Sequence, residues 1–508
     1  MKIKELLNKI NYTVLENEEK NGTNDECKDD GNDILEADIT TLVYDSRKVE
    51  KNSAFVCITG AVSDGHSYIQ DVIDKGAACI IVEKDINVND YNNCDEVVFV
   101  KVDSTRNALA ITAANYFGNP AEKIKTIGIT GTKGKTTTSY MVKEMLDMAG
   151  YKTGLIGTIE TIIGDEHIPS KNTTPESYVV QETFAKMVKA GCDVVVMEVS
   201  SQGLKLDRVA GFTFDYGMFS NLGVDHIGKD EHADFNEYLE CKSKLFRQCK
   251  VGILNRDDEH FEQILKNHTC EVETFGLDES ADLYAKNLRL LSSEGRLGVE
   301  YEVKGLLDFD VKVNIPGKFS VYNSLMAIAI CRHFGVDVEV IKKSMENLKV
   351  KGRVEIVSVP GSTYTLVIDY AHNAMSAESL ITTIKEYNPK RLVVIFGAGG
   401  NRDRNRRFEM GEVCSKLADF LVLTNDNPRF EEPQAIIDDI IVGVKKGDAE
   451  YVSIPDRAKA IRYAIENAKD GDVILLIGKG HEDYIEIKGQ RTHFDEREVI
   501  KEIIGSQA

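Results

Sequence analysis

The run Thr130-Gly131-Thr132-Lys133-Gly134-Lys135-Thr136-Thr137 constrains this chain more than any other. It follows an apolar stretch that ends at Ile129 and opens a helical pattern, so it predicts a strand, a glycine-rich turn and a helix in immediate succession. Successive backbone N–H groups in such a turn, with the positive end of the helix behind them, make a concave anion site that Lys135 completes with a full charge. Thr136 falls where a hydroxyl can ligate Mg²⁺. Only the latter half of the P-loop spacing is present, because Ile129 stands where the leading glycine belongs. A glycine-rich turn with no phosphate role is the alternative, and Lys-Thr-Thr at a helix start argues against it.

A chain of 508 residues predicts about three domains, since single cores rarely grow past roughly 250 residues. Its net charge of −21 excludes nucleic acid or an anionic membrane as a bulk partner, so any anionic substrate must be met by local positive sites. The ten cysteines, Cys57, Cys79, Cys192, Cys241 and Cys331 among them, are scattered through apolar segments without CxxC or zinc spacing. They read as reduced core residues of a cytoplasmic enzyme. Met1 to Tyr12 is a short amphipath, and neither a secretory signal nor membrane insertion is expected.

Three blocks follow along the chain. In the first, residues 1–120, the acidic stretch Glu16 to Asp38 reads as a surface loop. Beyond it, strands are predicted at Leu42-Val43, Ala54–Ile58, Ala78–Val82 and Val97–Val102, with helices at Tyr68–Lys75 and Ser104–Phe117. Asp45-Ser46-Arg47, Thr59-Gly60 and Asp64-Gly65-His66 stand at strand ends, as ligand loops or as solvated turns.

The second block, residues 121–350, opens with the phosphate loop and a helix Lys135–Ala149. Strands at Thr153–Ile156 and Val194–Met197 imply a doubly wound parallel sheet. Glu198 ends the second of these at the carboxyl edge, where a carboxylate can hold Mg²⁺ or merely cap a helix. Tyr216–Ser220 runs into a second polar cluster containing Asp225-His226. Lys242, in a helix predicted over Phe235–Cys249, reads by composition alone as a surface lysine. From Glu271 to Val313 the pattern is strand-like and antiparallel, with turns at Ser292–Gly295 and Lys304-Gly305. A helix Tyr322–Phe334 follows, with Asn323 in its first turn to recognise a base or cap the helix.

In the third block, residues 351–508, four parallel-type strands end in Asp369-Tyr370-Ala371-His372, Gly397–Asp403, Asn425–Arg429 and Gly478–Asp483. Polar clusters at successive strand ends build a crevice along one sheet edge, as in a Rossmann-like domain. Gly397-Ala398-Gly399-Gly400 lacks dinucleotide spacing, and Asn401-Arg402-Asp403-Arg404 behind it points to cationic contacts. The fold class is therefore α/β in three domains: a small N-terminal α/β domain, a central P-loop-type ATPase sheet and a C-terminal Rossmann-like domain.

Taken in order, Gly-Thr-Lys-Gly-Lys-Thr-Thr, Glu-Val-Ser-Ser, Asp-His, Gly-Arg-Val-Glu, Asp-Tyr-Ala-His, Asp-Asn-Pro-Arg and Gly-Lys-Gly-His-Glu-Asp-Tyr resemble the Mur ligases of peptidoglycan synthesis. The similarity runs from Asp45-Ser46-Arg47 to His493-Phe494-Asp495-Glu496-Arg497 and is greatest to the branch that adds the third residue of the stem peptide.

That resemblance implies an ATP-dependent amide ligase acting on UDP-N-acetylmuramoyl-L-alanyl-D-glutamate through an acyl phosphate. It implies ATP contacts at Gly131, Thr132, Lys133, Gly134, Lys135, Thr136 and Thr137, and at Asn323, Arg353 and Asp369. Thr136 and Glu198 would hold one Mg²⁺, and His226 would help hold a second with Lys242, which matches a lysine carbamylated by CO₂. Lys135, Glu198, His226 and Lys242 form the implied catalytic set. Ser46, with the Thr59–His66 turn, matches the uridine end of the muramoyl substrate, and Asn172, Thr173, Thr174, Ser200 and Arg208 match its sugar and peptide end. Arg402, Asp426, Asn427, Arg429, Gly478 and Glu482 match the pocket for the incoming amino acid. In family members that add meso-diaminopimelate, the arginine that Arg429 matches pairs with the distal carboxylate, a group that lysine lacks, so the resemblance implies meso-diaminopimelate as the incoming amino acid.

Departures from the family pattern stand at Leu206, Asn373-Ala374-Met375, Asn401, Phe408 and the segment Asp225–His232. The alternatives are a ligase adding L-lysine, a folylpolyglutamate synthase, and a nucleotide-binding regulatory protein without catalysis. The expected partners are small-molecule substrates alone, and the expected state is a monomer.

Overall fold

The computed structural model describes residues 1–15, 34–60, 62–225, 227–228, 231–293 and 296–505. They form two compact units, one of Met1–Ser139 with Gly150–Thr274, the other of Tyr140–Ala149 with Phe275 onward. The acidic stretch falls largely outside the described residues. Its last part is a 3₁₀ turn, Ile34–Glu36, whose Leu35 is buried.

The first unit holds two sheets. The N-terminal sheet consists of β1 (Thr13–Leu15), β2 (Thr41–Val43), β3 (Ser53–Val56), β4 (Cys79–Val82) and β5 (Val98–Lys101), in the order β1-β5-β4-β3-β2. Strands β2 to β5 are parallel, and β1, a three-residue edge strand absent from the sequence reading, lies antiparallel on β5. Both faces are covered, one by Leu6, Leu109 and Ala113, the other by Ile69, Val72 and Ile73.

The second sheet of this unit is built from β6 (Lys125–Thr130), β7 (Thr153–Ile156), β8 (Glu160–Ile163), β9 (Glu166–Pro169), β10 (Val194–Glu198), β11 (Phe214–Phe219) and β12 (Cys249–Asn255). Their order is β12-β11-β6-β10-β7-β8-β9, with the first five parallel. Continuous runs such as Val194-Val195-Val196-Met197 suit strands buried on both faces, and all four residues are buried here. The phosphate loop follows the central strand β6, with Glu198 at the end of its neighbour β10.

The helix expected over Phe235–Cys249 is shorter. It ends at Ser243, gives way to a 3₁₀ turn Lys244–Arg247, and Cys249 already belongs to β12. Lys242 is likewise no surface residue, being 1% exposed.

In the second unit, β13 (Glu271–Gly276) ends parallel to β14 (Leu283–Ser293), correcting the antiparallel expectation there. The sequence β14, β15 (Arg296–Gly305) and β16 (Phe309–Val313) is antiparallel as expected. Glu294 and Gly295 of the turn between them lie outside the described residues. The next helix begins at Lys318, not Tyr322, so Asn323 sits in its second turn and Gly317 occupies the cap position. The capping alternative for Asn323 is thereby removed.

The last sheet contains β17 (Glu355–Val357), β18 (Thr365–Asp369), β19 (Arg391–Phe396), β20 (Phe420–Leu423), β21 (Glu450–Ser453) and β22 (Asp472–Ile477), in the order β17-β18-β22-β19-β20-β21. All neighbours are parallel except β17 and β18. A hairpin of β23 (Tyr484–Ile487) and β24 (Gln490–His493) follows. The four polar clusters therefore stand at the carboxyl ends of adjacent strands β18, β22, β19 and β20. The three α/β bodies of the sequence reading are all present.

A buried ion pair fixes that edge. Arg457, at the start of the helix Arg457–Glu466, donates to Glu496 Oε1 through Nε (2.9 Å), to the Asn425 carbonyl (3.1 Å) and to the Ile477 carbonyl (3.0 Å). Both charged side chains are fully buried. Arg457→Met would leave Glu496 as an uncompensated buried charge and lower the unfolding free energy by about 3–5 kcal/mol. Urea unfolding of the variant, followed by circular dichroism, checks this, and an unchanged midpoint would refute it.

Candidate active site

The phosphate loop is shaped by positions that only glycine fills. Gly131 has φ +146°, and a Cβ there would stand 1.9 Å from Ser220 Oγ. Ser220 Oγ donates to the Lys133 carbonyl (2.7 Å), and Asn221 brackets Lys133 from both sides of its peptide. Lys135 Nζ folds back on the loop, donating to the carbonyls of Gly131 (2.7 Å) and Thr132 (3.2 Å). Thr136, in the first turn of the helix Lys135–Met148, donates to Glu198 Oε2 at 2.9 Å.

Glu198 is fully buried. Its oxygens accept only from neutral groups: Thr136 Oγ1, the Thr158 backbone N–H (2.8 Å) and Thr158 Oγ1 (3.0 Å). Among the described residues no cation pairs with it. A buried carboxylate in that state calls for positive charge, and a carboxylate beside a hydroxyl is the hard oxygen donor set that Mg²⁺ takes with its own waters. The residues therefore fit a magnesium ion. Among the described residues no group of three or more His, Cys, Asp or Glu side chains offers another metal site. His226, expected to help hold a second ion, lies outside the described residues.

Lys242 reaches the same loop from a helix. Tyr238 and Lys242 are one turn apart and share a face. The Tyr238 hydroxyl pairs with Thr132 Oγ1 (2.9 Å), while Lys242 Nζ lies 4.6 Å over the Tyr238 ring and donates to the Gly131 carbonyl (2.8 Å). Burial, and after it the charge of Lys135, pushes the Lys242 pKa well below that of an ordinary lysine.

A second cluster adjoins Glu198. Thr174 Oγ1 donates to the Glu198 carbonyl and accepts from Ser200 N–H, both at 2.9 Å. Arg208 donates to the Thr174 carbonyl (3.0 Å), and Thr173 Oγ1 lies 3.0 Å from Thr158 Oγ1. Ser200 Oγ caps the helix Ser201–Lys205, and Asn172 is exposed beside this group. Thus Thr173, Thr174, Ser200 and Arg208 come together as expected. Ser46 stands apart on the N-terminal sheet, just after Asp45, which caps its turn and pairs with Arg47. In the turn at residues 59–66, residue 61 lies outside the described residues. His66 Nδ1 lies 2.7 Å from Asp64 Oδ1, and its Nε2 accepts the Glu83 N–H at 3.2 Å.

In the second unit, Asp369 accepts the N–H groups of Val354 and Ala371, both at 2.8 Å, and burial pushes its pKa up. Val354 pays for its bond with φ +44°, a strained value for a β-branched residue. Arg353 lies 4.9 Å over the Tyr370 ring. His481 is held neutral, its pKa pushed down to about 3 by burial and then by Arg353, Lys351 and Arg497.

The remaining expected residues gather at the ends of β19, β20 and β22. Asn427 Nδ2 donates to Glu482 Oε2 (2.8 Å), and Asn427 Oδ1 accepts from Glu486 N–H (2.9 Å) and from Lys479 Nζ (3.3 Å). Arg429 adopts φ +52° and donates through Nη1 to the Gly400 carbonyl (2.7 Å). A Cβ on Gly478 would come within 2.7 Å of Asp426 Oδ2. Arg402 is exposed beside Gly399.

Three residues were given no role of their own in the sequence reading, Lys479 appearing there only within the Gly478–Asp483 cluster. Buried Lys479 ties Asn427 to Glu482, and buried Arg407 ties Glu431 (2.7 Å) to Asp439 (2.9 Å) behind Arg429. Thr158 stands at the carboxyl end of β7, so the strand-end rule that flagged Glu198 would have found it.

The chain matches three family profiles: "Mur ligase family, catalytic domain" over residues 38–117, "Mur ligase middle domain" over 129–331 and "Mur ligase, glutamate ligase domain" over 352–480. It is 42% identical over 507 residues to the "UDP-N-acetylmuramoyl-L-alanyl-D-glutamate--2,6-diaminopimelate ligase" of Clostridium tetani, covering 99% of both chains. A Clostridium acetobutylicum protein of that name, numbered 1, is 43% identical, again over 99% of both. A solved structure titled for the same ligase superposes with a TM-score of 0.69 at 26% identity, covering 97% of this chain and 99% of the other. With three profiles in sequence order and full-length relatives above 40% identity, the chain belongs to the Mur ligase family.

Proposed function

We propose that this protein is an ATP-dependent amide ligase of peptidoglycan biosynthesis that adds meso-2,6-diaminopimelate to UDP-N-acetylmuramoyl-L-alanyl-D-glutamate. The observation that carries the reaction class is the buried Glu198 carboxylate, bonded to Thr136 in the first turn of the phosphate-loop helix. The full-length relatives named for this reaction support the substrates, and Arg429 supports the choice of amino acid.

In the first step the D-glutamyl γ-carboxylate attacks the γ-phosphorus of ATP, ADP leaves, and an acyl phosphate forms. The amine of the incoming amino acid then adds to the acyl carbon, loses a proton, and expels inorganic phosphate to give the amide. Both steps concentrate negative charge, so preorganised positive charge is the main requirement. The loop N–H groups of residues 131–137 receive the phosphates. Lys135 exchanges its loop carbonyls for the β- and γ-phosphate oxygens, a substitution of acceptors that needs only rotation of its side chain. A magnesium ion held by Thr136 and Glu198 would neutralise charge on the transferring phosphoryl group. Asn323, Arg353 and Asp369 serve the adenosine and phosphate end of the nucleotide.

Lys242 has the chemistry of a carbamylation site. Only a neutral amine attacks CO₂, and burial beside Lys135 disfavours the ammonium form here. The amine nitrogen bonds to the CO₂ carbon and releases a proton, converting a group that would repel a metal ion into an anionic oxygen ligand. With it, His226 would hold a second metal ion.

Thr173, Thr174, Ser200 and Arg208 take the sugar and peptide of the muramoyl substrate, with Asn172 at their margin and Ser46 at the uridine end. At the other end, Asn427 consumes one Glu482 oxygen. The second is left for the substrate ammonium, while Arg429 presents its remaining N–H groups to the distal carboxylate. Arg402, Asp426 and Gly478 complete that pocket. The three domains then divide the work as uridine binding (1–120), phosphoryl transfer (121–350) and amino-acid capture (351–508).

A phosphate-release assay with ATP, Mg²⁺, the muramoyl dipeptide and an amino-acid panel tests this directly. Turnover is expected with meso-diaminopimelate and not with L-lysine, and equal rates with both would refute the role of Arg429. Arg429→Ala should lower kcat/KM for diaminopimelate by roughly 10–150-fold, the loss of about 1.5–3 kcal/mol of charge-assisted hydrogen bonding. Lys242→Ala should abolish turnover and regain part of it with added acetate or propionate. Wild-type activity should fall in CO₂-depleted buffer and return with bicarbonate, and insensitivity to both treatments would count against the carbamate.

A further inference from the structure

Thr158 has no role in the mechanism above, yet it touches both halves of the first unit's site. Its backbone N–H donates to Glu198 Oε1 (2.8 Å), and its hydroxyl lies 3.0 Å from Glu198 Oε2 and 3.0 Å from Thr173 Oγ1. An ionised carboxylate only accepts hydrogen bonds. The single Thr158 hydroxyl proton therefore goes to Glu198, and Thr173 must be the donor to Thr158. The chain has one direction, Thr173 to Thr158 to Glu198.

The turn is moulded to this purpose. A Cβ on Gly157 would stand 2.4 Å from Glu198 Oε1, so the backbone at residues 157–158 closes on the carboxylate as tightly as a peptide can. Thr158 thereby binds both oxygens of Glu198 and fixes the plane of the carboxylate. Thr136 takes one remaining lone pair of Oε2. Thr174, next to Thr173, is bonded to the backbone on either side of the same strand end, at the Glu198 carbonyl and the Ser200 N–H. The segment Asn172–Thr174 and the Glu198 carboxylate are thus one hydrogen-bonded body, and Thr158 is the side chain that joins them.

We propose that Thr158 is a positioning residue linking the muramoyl-substrate segment Asn172–Thr174 to the metal-binding carboxylate of Glu198, so that the muramoyl substrate and the magnesium nucleotide tighten each other's binding. The proposal rests on the assignment of those two groups above. Ordering Thr173 by substrate orders the Thr158 hydroxyl, which in turn holds Glu198 in its metal-binding orientation. Linkage makes the effect reciprocal.

The test uses the full chain and calorimetry with Mg²⁺ and a non-hydrolysable ATP analogue, with and without UDP-N-acetylmuramoyl-L-alanyl-D-glutamate. Thr158→Val keeps the shape and the backbone N–H but removes the hydroxyl, whereas Thr158→Ser restores it. In the wild type, the muramoyl dipeptide should tighten nucleotide binding by about 5-fold or more. In Thr158→Val that tightening should vanish and the Mg²⁺ concentration needed for half-saturation should rise about 10–100-fold, with Thr158→Ser close to wild type. Tightening that survives in Thr158→Val overturns the proposal, as does equal loss in the Val and Ser variants, or wild-type protein that binds both ligands independently. Wild-type protein that fails to bind the muramoyl dipeptide sinks the substrate assignment instead. The Thr158–Glu198 link is then still judged by Mg²⁺ affinity, which Thr158→Val must weaken and Thr158→Ser must spare.

Discussion

A buried carboxylate that no cation pairs with among the described residues organises this protein's phosphate site. Taking a charge such as that of Glu198 out of water costs several kcal/mol even after relaxation, and among the described residues only neutral donors offset it. Each donor comes from a different element. Thr136 arrives on the helix after β6, and Thr158 on the turn after β7, while the carboxylate itself ends β10. Because β7, β10 and β6 are adjacent and parallel, their carboxyl ends coincide in space, and the elements can meet at one side chain only in this order. Gly157 and Gly131 follow from the same crowding, since a methyl group at either would strike the site's own oxygens.

The strands were legible because their apolar runs are long enough to be buried on both faces, as Val194–Met197 and Val473–Ile477 are. Their carboxyl ends were legible because polar clusters interrupt those runs abruptly. Lys242 was not, since nothing local distinguishes a lysine that turns inward. Its burial depends on Tyr238 one turn earlier and on a loop more than a hundred residues away in sequence. The helix before β12 was read too long because Leu245 and Phe246 continue a helical spacing. The structure spends those residues in a 3₁₀ turn that feeds the strand, with both side chains in the core. Thr158 carries no pattern of its own as a single threonine, and only its place just after the end of β7 marks it.

Several departures from the family's usual residues turn out to preserve the physics. Asn373 still caps the helix Ala374–Lys385, its side chain accepting the Ser376 N–H, as a threonine would. Asn401 takes a left-handed conformation that its type tolerates and accepts the Phe430 N–H, which holds the segment carrying Arg429. Behind that segment, buried Arg407 pairs with the half-buried Glu431, which also accepts the Asn401 N–H. The loop that presents Arg429 is therefore clamped by side chains outside the Asp-Asn-Pro-Arg motif.

The Gly131 carbonyl serves two amines at once, Lys135 at 2.7 Å and Lys242 at 2.8 Å. An amide oxygen has two lone pairs, and these two contacts occupy both. In the proposed reaction, carbamylation would remake the Lys242 donor and phosphate capture would withdraw the Lys135 donor, so the same oxygen would record both events. In this arrangement the loop is self-satisfied, its two amines spent on its own backbone. Carbamylation of the neutral Lys242 amine would add a negative charge beside Lys135, which would convert a closed electrostatic circuit into one that needs metal and phosphate to balance. In the proposed reaction the resting loop would thus act as its own placeholder ligand, and activation would consist of displacing it.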